Sequence, residues 1–264
     1  MKLYKYYPPV EYAFKSLENQ TVCFNSMANF EDKLEGHYKM VAQPEPTETQ
    51  FDKIINGAMI SLADRMSEEY TDMIRFRFRI LSVTDSDRYE YMWREYAKGG
   101  SGFCLEYESN ELEKCSQAWG RINYKGAKEP DGIFQDPTET VAALDKRVQG
   151  ILFTKVLGFG KGENYRQEHE IRYVIEVPRD MVHETDIEDY MNNHLGYPKD
   201  KDYTYYAEFL SRKYFKAQNL VFRKARVSRV IIGQQMSKND SDRIENIADK
   251  LGISISKNKE NGLL

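Results

Sequence analysis

The order of hydrophobic and polar residues predicts a series of short strands and helices along the first part of the chain. Leu3–Tyr7 and Thr21–Asn25 are rich in aromatic and β-branched residues, which favour strands. A short helix is predicted between them, over residues 10–17. Residues 51–66 carry apolar side chains at helical spacing, and residues 75–80 alternate strictly between arginine and apolar side chains. These patterns predict an amphipathic helix followed by a half-buried strand.

An aromatic stripe marks the next helix. Its apolar side chains recur at positions i, i+3, i+4 and i+7, namely Tyr89, Met92, Trp93 and Tyr96. Asp87 is a candidate N-cap for this helix, and Gly99-Gly100 is expected to end it. An alternating strand follows from Phe103 to Tyr107. A stripe of this kind is typical of core packing, so we expect Trp93 to lie inside the protein.

The C-terminal part predicts a βαβ unit. Residues 227–232 form an apolar strand, and Asn239 or Asp240 is expected to cap a helix that Gly252 closes. A last strand begins at Ile253. Strands joined through a helix in this way pair in parallel, with a right-handed crossover.

Together these elements predict an α/β (α+β) protein. We expect a single domain over residues 1–264, built around a mixed, twisted sheet with flanking helices and the C-terminal βαβ unit. No linker divides the chain convincingly. Residues 178–226 begin with a proline that ends a strand and continue as a polar, tyrosine-rich stretch, so we interpret them as an insertion or variable segment.

Composition narrows the function classes. The formal net charge of -4 argues against general coating of nucleic acid. No apolar run approaches the roughly 20 residues that span a bilayer, and the N-terminus lacks the apolar core of a signal peptide. Three irregularly spaced cysteines favour free thiols in a reducing cytoplasm. The four histidines are scattered, so we expect a cytoplasmic protein with neither a membrane anchor nor a structural metal site.

The strongest candidate site lies in the segment from Asn164 to Val177. From His169 onward it alternates like a strand, which would place Glu168, Glu170 and Arg172 on one face and mostly apolar residues on the other. Alternate residues are about 6.6–7 Å apart along a strand, so these charges could meet one bound group. The alternative is a solvated face on which Arg172 pairs with Glu170, worth roughly 0–1 kcal/mol.

Two basic segments predict a second kind of site. Arg75, Arg77 and Arg79 share one face of the strand over residues 75–80. Residues 211–229 carry only positive charges, among them Lys216, Arg223 and Lys224. Such clusters could bind nucleic acid or a phosphate-bearing ligand. A solvated, charged surface is the alternative.

The order of the motifs resembles a family of bacterial and phage proteins classified as a domain of unknown function. That family combines an opening Leu-Tyr-Lys-Tyr strand, a Phe- and Pro-rich loop, a Trp-x-x-Tyr-Ala helix, a Gly-x-Cys strand, a Glu-x-Glu-x-Arg strand and a βαβ end with Ile-x-x-Gly. The corresponding stretches here are Leu3–Tyr6, residues 24–35, Trp93–Ala97, Gly102–Tyr107, Glu168–Arg172 and Val230–Gly233. The loop departs from the pattern, since Met27 and Lys33 stand where that family has prolines.

A remoter likeness connects the chain with ADP-ribosyltransferase-like proteins, which place a polar or basic residue on the first strand and a catalytic glutamate on a late strand. This likeness implies that Glu170, assisted by Glu168, stabilises the ribosyl centre as nicotinamide leaves. It also implies substrate-binding residues on several elements: Lys5, Tyr6, Ser26, Trp93, Tyr96 and Arg172. Lys5 stands where these proteins usually carry arginine or histidine.

Three functional hypotheses follow from the sequence. The first is an NAD-using ADP-ribosyltransferase or NAD glycohydrolase acting in bacterial conflict, as a toxin or phage-defence component, with NAD as its co-substrate. The second is a non-catalytic module that binds nucleic acid or a nucleotide through the basic segments. The third is an interaction protein whose Glu168, Glu170 and Arg172 face is only solvated. Under each of these hypotheses, replacing Glu170 is expected to leave the hydrophobic core undisturbed.

Overall fold

Two β-sheets form the frame of the protein. The computed structural model of the chain describes residues 1–26, 30, 49–50, 53–54, 56–58, 60–61, 78–125, 132–133, 161–176 and 220–258. Within these ranges the strands are β1 (Lys2–Tyr7), β2 (Thr21–Ser26), β3 (Phe78–Val83), β4 (Phe103–Glu108), β5 (Ala118–Arg121), β6 (Gly132–Ile133), β7 (Ile171–Glu176), β8 (Val221–Lys224), β9 (Val227–Ile232) and β10 (Ser254–Lys257).

The smaller sheet has four strands in the order β1-β4-β9-β10. β1 runs antiparallel to β4, with Lys5 opposite Leu105, and β4 runs antiparallel to β9. β9 and β10 are parallel, as the βαβ pattern predicts, so this sheet is mixed.

The larger sheet has six strands in the order β6-β5-β7-β3-β2-β8, and each pair of neighbouring strands is antiparallel. β7 therefore lies in the interior of the sheet, between β5 and β3. The register places Ser82 of β3 directly opposite Arg172 of β7. Directly opposed residues share a face, so this pairing brings a hydroxyl beside the guanidinium.

The described helices are short except for the last one. They are α1 (Glu11–Glu18), α2 (Glu90–Glu95), α3 (Ser109–Glu113), α4 (Lys238–Leu251) and a 3-10 helix over Glu163–Glu168. α4 begins after Ser237, whose hydroxyl accepts a hydrogen bond from the Asp240 amide. The predicted cap at Asn239 or Asp240 was thus two to three residues late, whereas the predicted end at Gly252, in a left-handed conformation, is confirmed.

Both sheets and three of the described helices share the main core. Apolar side chains of β1, β4 and β9 pack with those of β2, β3 and β7, and with α1, α3 and α4. A second cluster joins the other face of β1 to α2, through Tyr4, Tyr6, Met92, Trp93 and Cys104. The expectation that Trp93 lies inside is confirmed, since only 5% of it is exposed.

The two sheets meet at β1 and the end of β3. Tyr4 and Thr84 exchange both backbone hydrogen bonds, at 2.9 Å each, in an isolated bridge. The sequence predicted one mixed sheet, and the structure instead has two. Periodicity reports which faces are apolar but not which strands pair, so it could not distinguish one sheet from two that share a core.

Some predicted elements fall wholly or partly outside the described residues. This applies to residues 75–77 and to residues 178–219 of the interpreted insertion. Residues 221–224, at the end of that same segment, form β8 and pair with β2. The described residues between 50 and 61 are helical, in agreement with the predicted amphipathic helix. No helix in the described portion is long and apolar enough to cross a membrane.

Replacing Trp93 with alanine is expected to destabilise the protein by roughly 3–5 kcal/mol, because a large buried side chain would leave a cavity. The change would also remove the 2.7 Å hydrogen bond from its indole nitrogen to the Asp87 carbonyl and an edge contact with Tyr6. Urea unfolding followed by circular dichroism measures the loss. Trp119, the other tryptophan, is only partly buried, so Trp119→Ala should cost clearly less. Equal midpoints for Trp93→Ala and the parent would contradict the core assignment.

Candidate functional site

A cleft of about 400 Å³ opens near the junction of the two sheets. Its wall combines strands of both sheets, α2, and the segment that leads into β7. The polar and aromatic groups that line it include Lys5, Asn25, Ser82, Tyr91, Tyr96, Lys161, Glu168 and Glu170. Side chains that are far apart in the sequence therefore share one pocket, of a size typical for small-molecule sites.

Glu170 is the most strongly held of these groups. Arg172 donates two hydrogen bonds to its carboxylate, from Nε at 2.7 Å and Nη2 at 3.0 Å. The Ser82 hydroxyl donates a third, at 2.5 Å, and Lys161 Nζ lies 3.3 Å from Oε2. The backbone amide of Glu170 donates to the Tyr124 hydroxyl at 2.7 Å. Donors from β3, β7 and the 161–170 segment thus fix one carboxylate.

Glu168 occupies the neighbouring corner of the cleft. The Tyr96 hydroxyl donates to its Oε1 at 2.6 Å, and Lys161 Nζ lies 2.6 Å from Oε2. Lys161 thereby bridges Glu168 and Glu170 through one ammonium group. The same ammonium lies 4.4 Å from the centre of the Tyr165 ring.

The local backbone differs from the predicted strand. β7 begins at Ile171, and Glu168 ends the 3-10 helix. His169 follows with a positive φ of 46°, a left-handed conformation that ends the 3-10 helix between the two glutamates. The prediction that Glu168 belongs to the strand is therefore wrong. Alternation does hold for Glu170 and Arg172, which flank Ile171 and meet on one face.

The solvated-face alternative is also wrong. Glu168, Glu170 and Arg172 are 4%, 5% and 1% exposed. β7 is covered on both sides, because Ile171, Tyr173 and Ile175 on its opposite face belong to the main core. The expectation that Glu170 can be replaced without disturbing the interior is overturned by the same burial.

Electrostatics keep Glu170 ionised. Burial alone would raise the pKa of its carboxyl group, but the charges of Arg172 and Lys161 and the hydrogen bonds from Arg172 and Ser82 outweigh it and hold the pKa well below its ordinary value. Burial and the neighbouring Glu168 raise the pKa of Tyr96 well above its ordinary value, so its phenol stays protonated and donates to Glu168.

Lys5 reaches the cleft from β1. Its side chain is partly exposed there, and among the described residues its amine forms neither a hydrogen bond nor an ion pair. Burial lowers the pKa of Lys5, whereas Cys23, Glu170, Glu168 and Cys104 act in the opposite direction. The predicted residues Lys5, Tyr96, Glu168 and Glu170 are thus brought together.

The remaining predicted substrate-binding residues take less direct positions. Tyr6 lines the cleft, but its hydroxyl donates to the Ser86 carbonyl at 2.9 Å. Trp93 lies behind the wall, in the cluster under α2, and does not line the cleft. Ser26 is fully buried at the end of β2, where its neighbour Asn25 lines the cleft instead. Arg172 is not part of the cleft lining, and it contributes to the site by holding the Glu170 carboxylate in place.

The basic residues that the structure describes do not form the predicted surfaces. Arg79 is fully buried, because it points to the same side of β3 as the core residues Leu81 and Val83, and burial lowers its pKa to about 10. The interpretation of Arg79 as part of an exposed basic face is wrong. Arg75, Arg77 and Lys216 lie outside the described residues.

Arg223 and Lys224 are described, and they are adjacent positions of β8, at one edge of the six-stranded sheet. Adjacent strand residues point to opposite faces, so the expected common face is not formed by this pair. The Lys224 ammonium donates to the Asn19 carbonyl at 2.8 Å. Farther along the same segment, Arg229 pairs with Glu106 and Asp87.

Sequence reasoning missed three residues of the cleft network, Lys161, Ser82 and Tyr124. The signal for Lys161 was its place in the glycine-rich run 158–162, where a lone cation precedes two glutamates. Ser82 interrupts an apolar strand on the face that carries Ile80. Within the described ranges, no three histidine, cysteine or acidic side chains are grouped to hold a metal ion.

Replacing Glu170 with glutamine is expected to lower the free energy of unfolding by about 3 kcal/mol, near the low end for breaking a buried ion pair. The amide keeps one acceptor but leaves the Arg172 charge without its carboxylate. Urea unfolding at pH 7 measures the change. Glu163→Gln is the control, since Glu163 pairs with Arg166 on the surface and should cost no more than about 1 kcal/mol. Similar losses for both variants would contradict the role of burial.

Acid unfolding provides a second test of the same pair. The folded-state pKa of Glu170 lies below its unfolded value of about 4.3, so the stability that ionisation contributes is present above that pH and is lost as pH falls further. We expect the stability of the parent to fall more steeply than that of Glu170→Gln on acidification from pH 5. Thermal unfolding across pH 3–7 tests this, and parallel curves would contradict it.

Comparisons with known proteins bear on the same region. Residues 92–173 match a family model described as "Protein of unknown function (DUF2971)". Comparisons with curated proteins and with solved structures gave no match. The matched stretch runs from α2 to β7, so it contains Tyr96, Lys161, Glu168, Glu170 and Arg172, whereas Lys5 precedes it. The predicted resemblance to a family of unknown function is confirmed over residues 92–173, and the likeness to ADP-ribosyltransferases stays a prediction.

Proposed function

We propose that the cleft binds NAD and cleaves the bond between nicotinamide and ribose, as an ADP-ribosyltransferase or an NAD glycohydrolase does. The observation that carries the proposal is the meeting of Glu170, Glu168, Tyr96 and Lys5 in one cleft. These residues come from three separate parts of the chain. Glu170 and Glu168 supply carboxylates for this reaction and Tyr96 supplies an aromatic ring, while Lys5 reaches the same cleft from β1.

The charge state of Glu170 suits a reaction whose transition state is positive. When the nicotinamide–ribose bond breaks, its electron pair passes to the ring nitrogen, and the ribose carbon develops oxocarbenium character. A fixed anion stabilises that charge without reorganisation. Glu170 is held as an anion by Arg172 and Ser82. Its low pKa makes it a poor proton acceptor, so its proposed role is electrostatic.

Glu168 is proposed to orient the ribose or the attacking group. Its two carboxylate oxygens accept hydrogen bonds, one from the Tyr96 hydroxyl and one from the Lys161 ammonium. Lys161 also contacts Glu170, so the two carboxylates are neighbours. Water or an acceptor nucleophile would complete the reaction by bonding to the ribose carbon. We expect loss of the Glu168 charge to reduce activity less than loss of the Glu170 charge.

Aromatic side chains in the cleft suit the nicotinamide ring of the substrate. Tyr91, Tyr96 and Tyr165 all line the cleft. Tyrosine rings stack on flat heterocycles such as nicotinamide and hold them by dispersion and quadrupole contacts. The cleft volume of about 400 Å³ is ample for a ribosyl-nicotinamide unit.

Binding of a nucleotide without turnover is the second candidate. It is favoured because the Glu170 carboxylate already accepts hydrogen bonds from Arg172, Ser82 and Lys161. Recognition of nucleic acid through the basic segments has less support, because Arg79 is buried and Arg229 is paired with Glu106.

Incubation of the parent protein with NAD is expected to release nicotinamide, which chromatography quantifies. Glu170→Gln should lower the rate by at least about 100-fold, the range for removing one preorganised electrostatic group. Expression in a bacterial host should reproduce the difference, because NAD consumption arrests growth. Binding of NAD without nicotinamide release would support the second candidate instead.

A matched control variant distinguishes a loss of catalytic activity from a loss of stability. Glu106 is the comparable buried carboxylate outside the cleft, 2% exposed and held by Arg229 at 2.5 Å and Lys2 at 2.9 Å. Glu106→Gln should destabilise the fold to a similar degree and keep its activity at a temperature where both variants are folded. Equal rates for Glu170→Gln and Glu106→Gln would remove Glu170 from the reaction.

A further inference from the structure

The cleft contains two lysines in opposite electrostatic situations. Lys161 Nζ contacts the carboxylates of Glu168 and Glu170, at 2.6 and 3.3 Å. Lys5 has no such partner among the residues that the structure describes. Lys161 is therefore fixed as a cation by two direct contacts, whereas Lys5 forms no ion pair with a described residue.

The position of Lys5 explains why protein encloses most of its side chain. Alternation along β1 puts Lys5 on the same face as Leu3 and Tyr7, which are buried members of the main core. Its backbone is paired with Leu105 in the middle of the β1–β4 ladder. The side chain therefore leaves a rigid strand through apolar surroundings and ends in the cleft. Burial lowers its pKa.

Charge balance favours the neutral form of Lys5. Among the described residues, the carboxylates of Glu168 and Glu170 are paired with Lys161 and Arg172. A charged Lys5 would lie largely out of water with no ion-pair partner among these residues, which is costly. Lysines in such surroundings lose their proton readily and act as nucleophiles.

We propose that Lys5 is a nucleophilic amine that forms a Schiff base with a carbonyl compound bound in the cleft. The nitrogen lone pair attacks the carbonyl carbon, and the carbonyl π electrons move to oxygen. Two protons leave the nitrogen, the oxygen departs as water, and a carbon–nitrogen double bond remains. The reaction needs no oxidant or reductant.

The lining of the cleft indicates the class of carbonyl compound. Tyr91, Tyr96 and Tyr165 offer ring faces, and the polar residues Asn25 and Ser82 line the same cleft as Lys5. An aldehyde or ketone attached to a flat ring fits both features. This site is distinct in chemistry from NAD cleavage and does not depend on it.

Reductive trapping tests the proposal on the full chain. The parent is incubated at pH 7 with pyridine-3-carboxaldehyde and sodium cyanoborohydride, and peptide mass spectrometry measures the modified fraction of each lysine over time. Lys5 should be modified at least about tenfold faster than the exposed Lys15 and Lys250, because each unit of lowered pKa gives about tenfold more free amine. Lys161 should stay unmodified.

The pH dependence provides the structural control. The groups that act on the Lys5 charge are Cys23 from β2, Cys104 from β4, and Glu168 and Glu170 from the segment before β7. Labelling of Lys5 should reach its plateau at a lower pH than labelling of Lys15. Lys5→Met, checked for folding by circular dichroism, should lose only the Lys5 adduct.

Two results would overturn the proposal. One is modification of Lys5 no faster than that of Lys15, and the other is a labelling rate that rises with pH as it does for the exposed lysines. Neither measurement uses NAD, so a failed trapping experiment and a failed nicotinamide-release experiment have separate meanings.

Discussion

The buried pair of Arg172 and Glu170 is the interaction on which the site depends. Arg172 is 1% exposed and donates twice to Glu170, so two charges are enclosed in the interior of the six-stranded sheet. Removing water from such charges is costly, and only complete pairing with good geometry compensates for it. The third donor, Ser82, belongs to the neighbouring strand. All three hydrogen bonds to Glu170 therefore form only when β3 and β7 pair in the observed register.

The same pairing limits the chemistry that the cleft can perform. Glu170 has its oxygens occupied and a pKa well below its ordinary value, so it offers a fixed negative charge instead of a proton-transfer group. Lys161 extends the arrangement to Glu168, which the left-handed turn at His169 brings beside Glu170. The cleft thus presents two anions whose positions are set before any ligand enters, which is the preorganisation that electrostatic catalysis requires.

Sequence patterns predicted much of this frame, and the failures have physical causes. Alternation placed Glu170 and Arg172 on one face, and the βαβ unit was predicted together with its Gly252 end. Burial of that face was missed, because a polar strand face has the same pattern whether water or a second layer covers it. Arg79 was assigned to an exposed face for the same reason, although it is fully buried. Lys161 was missed because its contacts with Glu168 and Glu170 depend on the left-handed conformation of His169, and a single histidine is not enough to predict a positive φ.

Charge compensation divides the cleft into two chemically different halves. On one side, Arg172 and Lys161 neutralise Glu170 and Glu168, and the donors that surround these carboxylates keep them ionised. On the other side, Lys5 extends from the core face of β1, and burial disfavours its charged form. Among the described residues the Lys5 amine has no ion-pair partner, and the β1–β4 ladder holds its backbone in place. A neutral amine at this position would need no counter-ion.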